Sequence, residues 1–178
     1  MEIRRANEDS LNEILEIYAH ARKFMAQNGN ATQWGDTYPP QERVRQDMKE
    51  GKCHICVEND RILCVFYFAR EEDPTYRIIR EGNWLNDKPY AVVHRIASAE
   101  GVRGAAAFCL DWAFKQAGNI RIDTHDDNKP MQGLLKKAGF QYCGRITLAD
   151  GSPRIAFQKS YSPSREVNVP ASRRQQPE

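Results

Sequence analysis

Two stretches limit what this chain can fold into more than any other feature. Arg61–Ala69 (RILCVFYFA) and Tyr90–Ala97 (YAVVHRIA) carry apolar side chains on consecutive positions, not on alternate ones. Successive residues of a strand point to opposite faces. Strands of this kind must therefore be covered on both sides, so one sheet needs helices above and below it. With 178 residues, the chain is long enough to bury such a core without disulfide or metal staples.

The rest of the chain supplies those parts. Residues 2–5 read as a short strand, and apolar positions at helical spacing predict a helix from Asn7 to Gln27, with Asn7 or Ser10 as its cap. A loop over 31–40 holds Trp34 and Tyr38, and a charged helix follows over 41–50. Lys52–Glu58 pairs with 61–69 as a hairpin across Asn59-Asp60, and 70–88 is irregular. After strand 90–97 come a helix over 105–117, a strand over 119–124 and a helix over 129–138. That last helix has Pro130 in its first turn and Gly139 beyond its end. Strands 140–146 and 154–159 turn at Asp150-Gly151. The order β-α-α-β-β-β-α-β-α-β-β predicts the α/β class, with a mixed, mostly antiparallel sheet flanked by helices. Residues 1–160 form one domain in this reading, and the Pro-, Ser-, Arg- and Gln-rich segment 161–178 a disordered polar tail.

Composition excludes several classes of partner. Twenty-six basic and 24 acidic side chains leave a net charge of +2, so no basic face for nucleic acid is expected. No window reaches the roughly 18 apolar residues of a membrane span, and the charged start reads as no secretory signal. A cytoplasmic protein is expected. Its five cysteines, an odd number within apolar runs, fit buried thiols in a reducing compartment. Cys53-His54-Ile55-Cys56 has metal-like spacing, but residues three apart on a strand face opposite ways, and no second ligand pair follows. No metal site is expected.

The stretch with chemical content runs from His94 to Ala106 (HRIASAEGVRGAA). A buried strand leads into a loop of small residues and then a helix. The first N–H groups of a helix are unpaired and carry partial positive charge, and Gly104, Ala105 and Ala106 would let a pyrophosphate approach them. No Lys-Ser/Thr follows the glycines, and Gly-x-Gly-x-x-Gly is absent, so neither nucleotide fingerprint applies. Alone, the loop reads equally well as a tight strand-to-helix turn.

Taken with Ile120–Asn128 (IRIDTHDDN), Met131 and Lys136–Phe140 (KKAGF), the loop resembles the GCN5-related N-acetyltransferase (GNAT) family. Gly104-x-Ala106 matches the end of that family's acyl-CoA loop, and Asn128 and Gly139-Phe140 fall at its spacing. Gln33-Trp34, Pro89–Ile96, Asp123–Asn128 and Cys143-Gly144 are similar to motifs of bacterial members. The resemblance spans about residues 2–160. It implies a GNAT-like acyl-CoA N-acyltransferase fold with acetyl-CoA as co-substrate, bound by Ile96, Ser98, Val102, Arg103, Gly104, Ala105, Ala106, Asn128 and Met131. Two positions depart from the family pattern. Gly101 stands where its loop begins with Gln or Arg, and Leu135 where a Tyr often protonates the leaving thiolate.

A thiol with pKa near 8.5 leaves readily, and general acid catalysis is worth roughly 10²–10⁴-fold. Positioning of reactants contributes more, about 7–11 kcal/mol. An amine of pKa about 10.4 is mostly protonated at neutral pH, so a base matters more than an acid. His94 is the first candidate, read as sharing a strand face with Tyr90, Val92 and Ile96, with a core histidine as the other reading. Asp123 and His125 come next. Asp123-x-His125-x-Asp127 mimics a calcium loop, but Asn128 and Leu134 occupy its glycine and glutamate positions. Asn128 either caps the helix after it or contacts the cofactor. Trp34, Tyr38, Tyr76 and Trp84 lie in loops outside the core pattern and are candidates for the acceptor site, with packing under long loops as the other reading; Asp36 and Asp73, near them in sequence, read either as groups that steer a cation or as solvated loop charges.

The expected function is acetyl transfer from acetyl-CoA directly to a primary amine of a small molecule or peptide. The alternatives are a non-catalytic acyl-CoA sensor or scaffold, and a phosphate-ligand domain unrelated to CoA. Assembly as a homodimer is left open.

Overall fold

The computed structural model describes residues 1–161; the remainder of the polar tail lies outside them. Seven strands form one sheet: β1 (Glu2–Arg5), β2 (Cys53–Glu58), β3 (Arg61–Ala69), β4 (Ala91–Ser98), β5 (Asn119–Thr124), β6 (Gln141–Thr147) and β7 (Pro153–Ser160). Their spatial order is β1-β2-β3-β4-β5-β7-β6. Every pairing is antiparallel except β4 with β5. Four helices flank the sheet: α1 (Leu11–Gln27), α2 (Gln41–Lys49), α3 (Ala105–Ala117) and α4 (Lys129–Lys137). None of these helices is long and apolar enough to cross a membrane.

The doubly apolar strands are covered as their sequences demand. On one face Cys109, Leu110 and Phe114 of α3 and Leu135 of α4 bury Phe66, Val93, Ile120 and Ile122. On the other, Ile14 and Ile17 of α1 and Val44 of α2 close over Ile55, Val65 and Ala97. The segment 70–90 covers the far half of that second face, where Tyr76 packs with Tyr67, Val92 and Ala156. Cys53 and Cys56 fall in clusters on opposite faces, as strand geometry requires. All five cysteines are free and buried.

Two local readings change. A 3-10 turn at Glu8–Ser10 leads into α1, and neither Asn7 nor Ser10 caps a backbone N–H through its side chain. The Ser10 hydroxyl instead donates to Asn7 Oδ1 at 3.3 Å. Gly144 is required by proximity, because a Cβ there would lie 2.5 Å from the Arg80 carbonyl, at the bridge between Arg80 and Arg145.

The second change bears on function. Tyr67 pairs with His94 but Val65 pairs with Ala97, so β4 carries one extra residue, a β-bulge. Arg95 sits there at φ +50°. His94 and Arg95 therefore project on the same side, where both meet the Tyr67 ring. Ile96 is turned to the other face, against the α3/α4 core. The expectation that His94 and Ile96 share a face is thereby corrected; Val92 does lie on the His94 side, with Tyr90 against it.

Candidate active site

Strands β4 and β5 pair only through Ala91–Ile120 and Val92–Arg121. Beyond those residues the strands part, and a cleft of about 580 Å³ opens between them. Its wall includes groups from both faces of the sheet. Val93, Ile96, Ile122 and Met131 belong to the α3/α4 side. His94, Arg95, Asp73 and Asp123 come from the other side, with Trp34 and Tyr38 of the 31–40 loop.

Polar chemistry concentrates at His94. With its proton on Nε2 the ring donates to Asp73 Oδ2 at 3.0 Å, while Nδ1 lies 3.9 Å from Asp123 Oδ1. Asp73 Oδ1 accepts from the Thr75 N–H at 2.8 Å and the Thr75 hydroxyl at 2.6 Å. Burial alone would raise the Asp73 pKa, but the hydrogen bonds from His94 and Thr75 outweigh it and bring it down to about 2. Asp123 Oδ1 accepts from the Tyr76 hydroxyl at 2.7 Å, and its Oδ2 lies 3.9 Å from Arg154 Nε. Burial, then the Asp123 charge, push the Tyr76 phenol well above its ordinary value, so it stays neutral and holds the carboxylate in place.

Arg95 is anchored by three contacts. Its Nε and Nη2 both donate to Asp47 Oδ2, at 3.0 and 2.7 Å, and Nη1 donates to the Tyr38 hydroxyl at 3.2 Å. The Tyr18 hydroxyl donates to its carbonyl at 2.9 Å. These offset the roughly 1–3 kcal/mol that a non-glycine residue in left-handed backbone costs. The bulge is thereby tied to α1, α2 and the 31–40 loop.

The N-terminal end of α3 follows β4 along the chain. Ser98 ends β4, and Val102 N–H bonds to the Ala99 carbonyl at 3.2 Å. Among the described residues, the N–H groups of Arg103, Gly104, Ala105 and Ala106 find no acceptor. Gly104 holds φ +83° as the residue before the helix, a conformation glycine adopts freely. No acidic side chain lies in the first turn of α3, so its positive end is uncompensated.

Seven of the candidate residues line the cleft: His94, Asp123, Ile96, Asn128, Met131, Trp34 and Tyr38. Ser98, Val102, Arg103, Gly104, Ala105 and Ala106 do not line it; they form the end of β4, the loop and the helix start that follow Ile96 along the chain. His125 lies off the cleft, where its Nδ1 accepts from the Asp127 N–H at 3.1 Å. Tyr76 is buried behind the wall and reaches the site through Asp123 and through its ring, which packs against His94. Trp84 donates to the Tyr76 carbonyl and stacks on the Arg121 guanidinium at 4.3 Å, so it too supports the site from behind. Asp36 is exposed and outside the cleft, whereas Asp73 is central to it. Asn128 caps α4, its Oδ1 accepting from Met131 N–H at 3.2 Å, while its Nδ2 donates to Gln33 Oε1 at 3.0 Å. It thus fastens the Gln33-Trp34 loop to the helix start. Leu135 is fully buried in the core.

Sequence reasoning missed Arg154 and Thr124, both on the cleft wall. Each lies in an ordinary strand pattern; the parting of β4 and β5 is what puts them on the cleft wall.

Among solved structures, an acetyltransferase of the GNAT family from Streptococcus agalactiae is 31% identical, with a TM-score of 0.83 over 91% of this chain and 96% of that one. The chain belongs to the GNAT acetyltransferase family. Two more distant structures share the GNAT fold alone. An acetyltransferase from Listeria monocytogenes is 18% identical, with a TM-score of 0.65 over 90% of this chain and 94% of that one. The yncA protein from Salmonella typhimurium, solved with acetyl-CoA as its cofactor, is 14% identical, with a TM-score of 0.57 over 94% and 98%. No family model and no curated protein matches the chain.

Proposed function

We propose that this GNAT protein is an N-acetyltransferase that moves an acetyl group from acetyl-CoA directly to a primary amine of a small molecule or peptide. The observation that carries this reading is one cleft with two chemistries. On the α3/α4 side it is lined by Ile96 and Met131, and the strand that carries Ile96 runs on to the unpaired N–H groups at the start of α3; on the other side stand His94, Asp73 and Asp123.

In this mechanism the N–H groups of residues 103–106 bind the pyrophosphate, and Ile96 and Met131 flank the arm that leads to the thioester. Acetyl-CoA supplies the thioester whose C–S bond is cleaved. Asp73 and Asp123 draw a cationic acceptor past Trp34 and Tyr38. His94 takes the proton that the amine must lose before it can attack, and Asp73 orients the imidazole for that transfer. No covalent enzyme intermediate is involved. Cys109 is deep in the core, with its thiol held neutral by the neighbouring Cys64 and by burial, and burial also raises Cys143.

Acetyl-CoA-dependent thiol release across a panel of amines tests the transferase. Turnover with at least one amine is expected. A second reading, an acyl-CoA sensor without turnover, is favoured by Leu135, which fills the position of the family's usual acid with a core side chain. Tight acyl-CoA binding with no thiol release from any amine would select the sensor.

A further inference from the structure

Thr124 ends β5 and lies on the cleft wall. It is only 1% exposed, and its Oγ1 has no hydrogen-bond partner among the described residues. An unpaired buried hydroxyl costs free energy. Thr124 follows Ile120 and Ile122 on the face covered by α3 and α4, while Asp123 points to the face of His94. The unpaired hydroxyl is therefore on the α3/α4 side of the split, with Ile96 and Met131 and opposite the groups assigned to the amine.

We propose that the Thr124 hydroxyl is a catalytic residue: it donates a hydrogen bond to the thioester sulfur as that sulfur becomes the leaving thiolate. The inference rests on the transferase reading and deepens it. The amine nitrogen forms the new bond to the acetyl carbon, the C–S bond breaks, and its electron pair stays on sulfur. The proton from the amine goes to His94 and then to solvent. Thr124 keeps its own proton and supplies a hydrogen bond only; the released thiolate, with an ordinary pKa near 8.5, takes its proton from water. The geometry explains why the core side chain at Leu135 does not disqualify the site, since the donor comes from β5 instead of α4.

The test uses the whole protein and free CoA, so no acceptor has to be known. Binding of CoA is measured by calorimetry from about pH 6 to about pH 9.5, spanning the free thiol pKa of about 8.5. Desulfo-CoA, which lacks the thiol, is measured in parallel. The titratable and charged groups lining the cleft are Asp73, His94, Arg95, Asp123, Asp150 and Arg154, whereas α4 contributes Met131. Their titration affects both ligands and is removed by the difference. In the wild type, CoA should gain about tenfold over desulfo-CoA as pH rises, the size expected of a charge-assisted hydrogen bond. Thr124→Val should abolish that gain and Thr124→Ser should retain it. The melting temperature of Thr124→Val should hold or rise, because an unpaired buried hydroxyl has been removed. Where an acceptor is in hand, Thr124→Val should lower kcat about tenfold or more with KM little changed.

An equal pH-dependent gain in wild type and Thr124→Val overturns the role at sulfur. A loss of affinity in Thr124→Val that is the same for CoA and desulfo-CoA also overturns it, placing the hydroxyl on another part of the cofactor. A lower melting temperature for Thr124→Val overturns it by revealing a structural bond. Failure of the wild type to bind any CoA at about millimolar concentration removes the transferase reading, and this inference with it.

Discussion

His94 and Asp73 share one hydrogen bond, yet they affect different measurements. Removing the imidazole in His94→Ala should cut kcat about 10²–10⁴-fold and erase the acidic limb of the pH–rate profile. Stabilisation by acetyl-CoA should persist, because the N–H groups of residues 103–106 are untouched. Retention of the acidic limb in that variant would assign the base elsewhere. Asp73 contributes to stability. Its pKa falls from an ordinary value of 3.8 to about 2 on folding, so the stabilisation is full above pH 4 and fades as pH drops towards 2. Asp73→Asn should cost roughly 2 kcal/mol at neutral pH by denaturant unfolding, and should flatten the acid side of the stability profile. His94 could be picked out from the sequence because a lone imidazole on a buried strand before the loop is conspicuous. Its partner could not be singled out: Asp73 is 21 positions away in an irregular segment, and Asp36 was an equal candidate until the fold placed one in the cleft and the other on the surface.

β4 shows how one extra residue re-aims a strand. The bulge at Arg95 turns Ile96 away from His94 and gives the cleft a different lining on each side. Its conformation depends on the Arg95–Asp47 pair, whose side chains are 11% and 7% exposed. Arg95→Ala leaves Asp47 buried without its cation and should destabilise the protein by about 3–5 kcal/mol, measured by chemical denaturation. Double replacement with Asp47→Asn should recover part of that loss. No recovery would mean that the φ of +50°, not the charge, dominates the site. Most elements are legible from local signals: Pro130 and Gly139 bracket α4, and the spans of α3 and β5 match their apolar periods. The bulge is not, because alternation along a strand presumes an uninterrupted register, and register belongs to the pair of strands.

The assembled molecule offers the broadest test. Saturating acetyl-CoA at about 100 times its dissociation constant should add about 2.7 kcal/mol. For a domain of this size that raises Tm by roughly 5–10 °C. Gly104→Glu should remove the rise, since it sets a carboxylate against the N-terminal amides of α3 and loses the glycine at φ +83°. A Tm shift of wild-type size in that variant would place the diphosphate elsewhere. The amino-acid order settles that the chain makes an α/β sheet covered on both faces, where α3 and α4 lie, and which loop can present free amides, because those properties follow from periodicity and from what glycine and proline permit. Which side chains meet is settled by pairing between distant strands. β4 and β5 hydrogen-bond through two residue pairs and then diverge, so Asp73, His94 and the Asp123-Thr124 pair come to one cleft although no spacing along the chain connects these three segments.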